Sequence, residues 1–222
     1  MKTKTKTIRL LFATAVLGAV ASLVQAGPGP QYWEKLTNEA QFGQLKAGEK
    51  VAYVCNVCKT VSEIPVTSHE HAMELCKMGA TVTCPSCKIT TKVVMKGGRN
   101  DPSAHNEVVY VNEKGEECAF IAKVPGGKLE TLGNESQFHS LKAGDKVAYV
   151  CNVCKTVSEI AVASHEHAMG FCKEGATVTC PSCKKTTKVV MKGGRNDPPS
   201  HSVVIYVNEK GEECAFMAKV AE

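Results

Sequence analysis

The sequence predicts an α+β protein: two tandem small strand-rich modules, each with a two-knuckle, four-cysteine metal site, one or two short helices and a C-terminal β-hairpin. Three observations lead there. Shifting the numbering by 96 residues carries Cys55, Cys58, Cys76, Cys84, Cys87 and Cys118 onto Cys151, Cys154, Cys172, Cys180, Cys183 and Cys214, so one unit is written twice. Each copy holds two Cys-x-x-Cys hooks. Around them, short β-branched runs alternate with one or two capped helical stretches.

In chain order, residues 1–26 read as a secretory signal peptide. Lys2, Lys4, Lys6 and Arg9 precede an apolar run from Leu10 to Val24, and Val24-Gln25-Ala26 has the small-residue spacing of a cleavage site. The run is short of the ~20 apolar residues that a spanning helix needs. The expectation is a secreted or periplasmic protein with no stable membrane anchor after cleavage. Module 1 then covers 27–124, a Pro-Gly-Gly linker covers 125–128, and module 2 covers 129–222, the two sitting as beads on a string.

Within module 1, Asn38 caps a short helix with Gln41 reaching back, and Gly48 is placed to end it. Lys50–Cys55 is a strand that delivers the first hook, and 59–66 is extended. Ser68 opens a second helix that Gly79 closes, with Ala72, Leu75 and Cys76 on its inner stripe. Strands at 81–83 and 90–95 flank the second hook. Residues 108–111 and 118–121 pair as a hairpin across Asn112–Gly115. The same elements recur in module 2. Glu74/Gly170, Met78/Glu174, Ile89/Lys185 and Glu107/Val203 differ between the copies and mark surface or edge positions.

Charge narrows the partners. The chain has 27 Lys+Arg against 22 Asp+Glu, but four of the basic residues and no acidic one lie in the leader. A nearly neutral mature chain, made more negative by each four-thiolate site, argues against nucleic acid and leaves an unknown protein or surface as partner.

The hooks carry the chemistry. Cys55, Cys58, Cys84 and Cys87, and Cys151, Cys154, Cys180 and Cys183, can each supply four soft donors at the ~2.3 Å of a zinc–sulfur bond. Such a set selects zinc, or iron in a mononuclear site, with one ion per module. Val51–Cys58 and Val82–Thr90 resemble the zinc-ribbon and rubredoxin-like class of folds. They depart from it where Lys59 and Lys88 stand in place of the glycine that often follows the second cysteine.

The competing expectation is disulfides, since an exported chain with twelve cysteines meets oxidising conditions. For Cys76 with Cys118, and Cys172 with Cys214, a disulfide is the favoured reading over buried thiols or reserve ligands. His69 and Met73, one turn apart, could hold copper weakly, but such residues ordinarily face water. His105 and His201 read as loop residues, and the Gly97–Pro102 loop as a connector.

Four protein ligands leave no open position for hydrolysis. The sequence therefore predicts a non-catalytic binding or structural protein. Metal buffering outside the cytoplasm is the alternative. A thiol–disulfide oxidoreductase ranks third, because no helix is expected after the first hook to lower a thiol pKa.

Overall fold

The structure is a computed structural model and describes residues 31–97, 106–124, 126–193 and 202–221. The leader, His105, His201 and most of the Gly97–Pro102 loop and its repeat lie outside the described residues. No helix among those described is long and apolar enough to cross a membrane.

The chain starts with β1 (Gln31–Tyr32) and α1 (Glu39–Gly43), followed by β2 (Lys50–Cys55), β3 (Thr60–Pro65), α2 (His69–Glu74), β4 (Thr81–Thr83), β5 (Thr90–Lys96), β6 (Glu107–Val111) and β7 (Glu117–Lys123). The second repeat gives β8 (Lys128–Leu132), α3 (Glu135–His139), β9 (Lys146–Cys151), β10 (Thr156–Ala161), α4 (His165–Gly170), β11 (Thr177–Thr179), β12 (Thr186–Lys192), β13 (Val203–Val207) and β14 (Glu213–Ala221).

These elements overturn the α+β expectation. The described residues are 45% strand and 13% helix, arranged as two curled antiparallel half-barrels. The first sheet has the order β3-β2-β7-β6-β5-β4. The second has β1-β10-β9-β14-β13-β12-β11, with β8 also on β14. The four helices among the described residues are five or six residues long and form no layer of their own.

Tertiary pairing explains why the second helix is shorter than its sequence signals. Ser68 caps it as expected, accepting from His71 N. Beyond Glu74 the chain is drawn towards β5: Gly79 N donates to Val93 O, and Val93 N donates to Ala80 O. Those bonds hold the segment in turns rather than a further helical turn. The Tyr110 hydroxyl donates to Leu75 O at 2.7 Å and fixes the end of α2 inside the curl. Tyr206 does the same to Phe171 O at 2.8 Å. The first helix has the expected capping box, with Asn38 and Gln41 bonded reciprocally, but it stops at Gly43. Gly48, at φ +90°, serves the following turn instead.

Each half-barrel wraps its own core. In the first, Val51, Tyr53 and Cys55 of β2 face inward with Phe42, Leu75, Cys76 and Tyr110. The alternate residues Ala52 and Val54 face outward, yet they are fully buried too. They join Trp33, Phe120 and Ala122 in a third core completed by Ala148, Val150, Val157, Phe216 and Val220 of the second repeat.

The repeats are therefore packed back to back, not strung as separate beads. Each also lends a leading segment to the other. Gln31 and Tyr32 pair with Glu159 and Ser158 on the edge of the second sheet, while Leu129 N donates to Glu63 Oε1 on the edge strand of the first. Glu74/Gly170, Met78/Glu174, Ile89/Lys185 and Glu107/Val203 are exposed or half-buried, as expected, whereas other differing pairs, such as Leu75/Phe171 and Ile121/Met217, are buried.

Candidate metal centre

Both hooks of a repeat are hairpin turns. The first joins β2 to β3, closing after the Cys55–Thr60 pair. The second joins β4 to β5, closing after the Thr83–Thr90 pair. In the sheet these hairpins lie at opposite edges, separated by β7 and β6. The curl brings the two edges together, and the four sulfurs meet where the half-barrel would otherwise gape.

The distances suit a tetrahedral ion. Cys55 Sγ is 3.9 Å from Cys87 Sγ, and Cys58 Sγ is 3.8 Å from Cys84 Sγ. Cys151–Cys183 and Cys154–Cys180 repeat these values. All four sulfurs of each set lie within 4.8 Å of one another. Four ligands with ~2.3 Å bonds to a tetrahedral centre stand roughly 3.8 Å apart. The two sets therefore fit a four-thiolate ion without rearrangement, as the zinc-ribbon resemblance implied. Each could hold one metal ion.

The turns reach that geometry through a backbone conformation that lysine rarely adopts. Lys59, Lys88, Lys155 and Lys184, each following the second cysteine of a hook, have φ between 54° and 63°. This is the left-handed conformation that glycine often supplies in the resembling folds, and here lysine takes it at a steric cost of about 1–2 kcal/mol. Lys88 N donates to Cys84 O, and Cys84 N to Ile89 O, so the turn is closed on both sides.

Where a bond is seen, the lysine ammonium group is turned to a carbonyl rather than to the sulfurs of its own hook. Lys88 Nζ donates to Pro85 O. The charges of Lys59 and Lys155 are instead felt across the repeat interface, by Cys214 and Cys118 respectively.

Thiol ionisation shows what an ion in the cage would change. Burial pushes Cys55 and Cys151 well above the ordinary thiol range, against opposing backbone N–H donors from Cys58 and Cys154. Burial likewise raises Cys180. Burial also works against Cys154, but bonds from Thr156 and from the other three thiols prevail and lower it to about 7. Four ionised sulfurs this close repel strongly, and a divalent cation reverses that balance. Thr60 and Thr156, whose hydroxyls lie 3.0 Å from Cys58 Sγ and Cys154 Sγ, support the cages and were not singled out from the sequence. The signal was there: each follows its hook by two residues at the start of a strand.

The expected Cys76–Cys118 and Cys172–Cys214 disulfides are not formed. All twelve cysteines are unbonded to one another. Cys76 donates to Met73 O and lies in the inner core. Cys118 sits at the β6–β7 bulge, 3.7 Å from Tyr110 O, and is not part of that cluster. Their counterparts behave alike. As the sequence predicted, no helix follows the first hook: β3 starts two residues after Cys58. Comparison of the chain with protein-family models, with curated proteins and with solved structures finds no match.

Proposed function

We propose that this is an exported, non-catalytic protein whose two half-barrels are each closed by a structural zinc ion, and that it acts as a binding or structural element. The observation that carries the reading is the position of the sulfurs. They clamp the two edges of a curled sheet and supply all four ligands, which leaves no coordination position for a substrate or water. Zinc is favoured over iron because the role is mechanical and needs no redox change. Export rests on the basic and apolar leader of the sequence. A protein or surface partner is favoured over nucleic acid by the near-neutral charge that remains without that leader.

Native mass spectrometry of the protein lacking residues 1–26 tests this reading, combined with a melt before and after chelation. Two zinc ions and a large fall in melting temperature on their removal are expected, because structural zinc contributes an apparent ~10–16 kcal/mol in small peptides. A chelated protein with an unchanged melt would overturn it.

Metal buffering is the second reading, favoured by one feature: Cys58 and Cys87 are only partly buried, so a competing thiol could reach each ion. Rapid zinc transfer to an acceptor without loss of fold would select it.

A further inference from the structure

The second repeat carries a group of side chains that the first lacks. His139 ends α3 and His165 begins α4, and their rings stand 5.5 Å apart between centroids, tilted by 40°. Glu135 Oε1, one turn before His139, is 3.7 Å from its Nε2. Met169 lies one turn after His165 on α4.

The first repeat has the counterparts Glu39, His69 and Met73 but places Gly43 where His139 stands. A Cβ at Gly43 would lie 3.8 Å from both His69 Cε1 and Met73 Sδ. A side chain at that position is thus aimed between an imidazole and a thioether, and only the second repeat provides one.

We propose that His139 and His165, with Glu135 and Met169 beside them, form a binding site for a divalent transition cation in the second repeat, separate from both four-cysteine sites. The ring spacing fits. Imidazole nitrogens bind such ions at ~2.0–2.1 Å, which puts the rings of two tetrahedral ligands roughly 5.2 Å apart between centroids. The donor set suits zinc, nickel or copper(II), and excludes magnesium and calcium, which prefer all-oxygen ligands. The Glu135 carboxylate, 3.7 Å from His139 Nε2, can orient that ring.

This site differs from the thiolate cages in access. The His139 side chain is 53% exposed, so an ion can come and go without disturbing a core. Two histidines also leave positions open to water or to a ligand from a partner. The site does not depend on what the cages hold.

Nickel is the probe that tests it, because it prefers imidazole and avoids the redox chemistry of copper with thiols. Protein supplied with zinc is titrated with Ni²⁺ by calorimetry, while imidazole NMR signals locate the ion and mass spectrometry follows zinc content. One saturable equivalent is expected, broadening His139 and His165 but sparing His71 and His167. His139→Gly, which installs the residue that the first repeat already tolerates, should weaken binding by roughly tenfold or more. The reciprocal Gly43→His exchange should add a second equivalent. Binding unchanged by His139→Gly, or broadening spread evenly over all histidines, overturns the site. Because the NMR signals report on the histidines directly, the result stands whether or not the cages retain zinc.

Discussion

The Tyr53 hydroxyl lies 3.1 Å from Thr91 Oγ1, which joins β2 to β5 across the mouth of the first half-barrel. Neither strand neighbours the other in the sheet. Thr91 Oγ1 in turn donates to Val82 O at 2.9 Å, so Tyr53 is the donor in a short relay beneath the four-cysteine site. Tyr149, Thr187 and Val178 repeat it in the second half-barrel. Both hydroxyl groups are buried, and loss of one partner leaves the others unsatisfied.

Thr91→Val keeps the shape of the side chain and removes the relay. It should lower stability by about 2 kcal/mol, since two buried polar atoms lose their partner. Urea denaturation measures this, and a change below ~0.5 kcal/mol would show that the relay contributes little.

Cys84→Ser removes a fully buried ligand of the first cage. Native mass spectrometry should then find one ion per chain instead of two. Because the repeats share the core around Trp33, Val54, Val150 and Phe216, the second half-barrel should also melt at a lower temperature. A second repeat that melts as in wild type would mean the shared core transmits no stability.

Trp33 is the single tryptophan and is nearly inaccessible within that shared core. Its backbone N–H also donates to Val157 O. Trp33→Ala should cost about 3–5 kcal/mol and uncouple the repeats. Circular dichroism in urea should change from one transition to two. Retention of a single transition at the wild-type midpoint would falsify the coupling.

Alkali should weaken the fold through thiols that bind no metal. Burial, aided by the charges of Glu39 and Glu135, pushes Cys76 and Cys172 up to about 11 from an ordinary value of 9.0. Since the folded value is the raised one, this contribution is complete below about pH 9. It is lost as pH rises through about 11, where the unfolded thiol ionises first. A rise of that size corresponds to roughly 3 kcal/mol per thiol. Cys76→Ala should reduce the alkaline slope in a pH series of melts without abolishing it, because burial also raises Cys118, Cys214 and the buried tyrosines. Acid acts on the cages in the opposite sense, because protons compete with metal for the sulfurs.

Much of this molecule is local and was legible in the chain. The repeat, the eight hook cysteines, the capping box at Asn38 and Gln41, and the strands from Lys50 to Cys55 and Thr81 to Thr83 depend on residues a few positions apart. The fold class did not. Helical signals between Ser68 and Gly79 were genuine, but bonds from Gly79 and Ala80 to Val93 limited the helix to six residues. Both faces of β2 are buried, and a sequence cannot say what covers the second face. The cover is the other repeat.

The sequence by itself determined which atoms could bind metal, because ligand type and hook spacing are properties of short segments. Only the tertiary structure decided what those atoms hold together. Sheet curl placed sulfurs from opposite edges 3.9 Å apart, and back-to-back packing gave the two copies of one unit a third, shared core. Both depend on contacts between residues far apart in the chain, whose geometry is set by packing rather than by local preference.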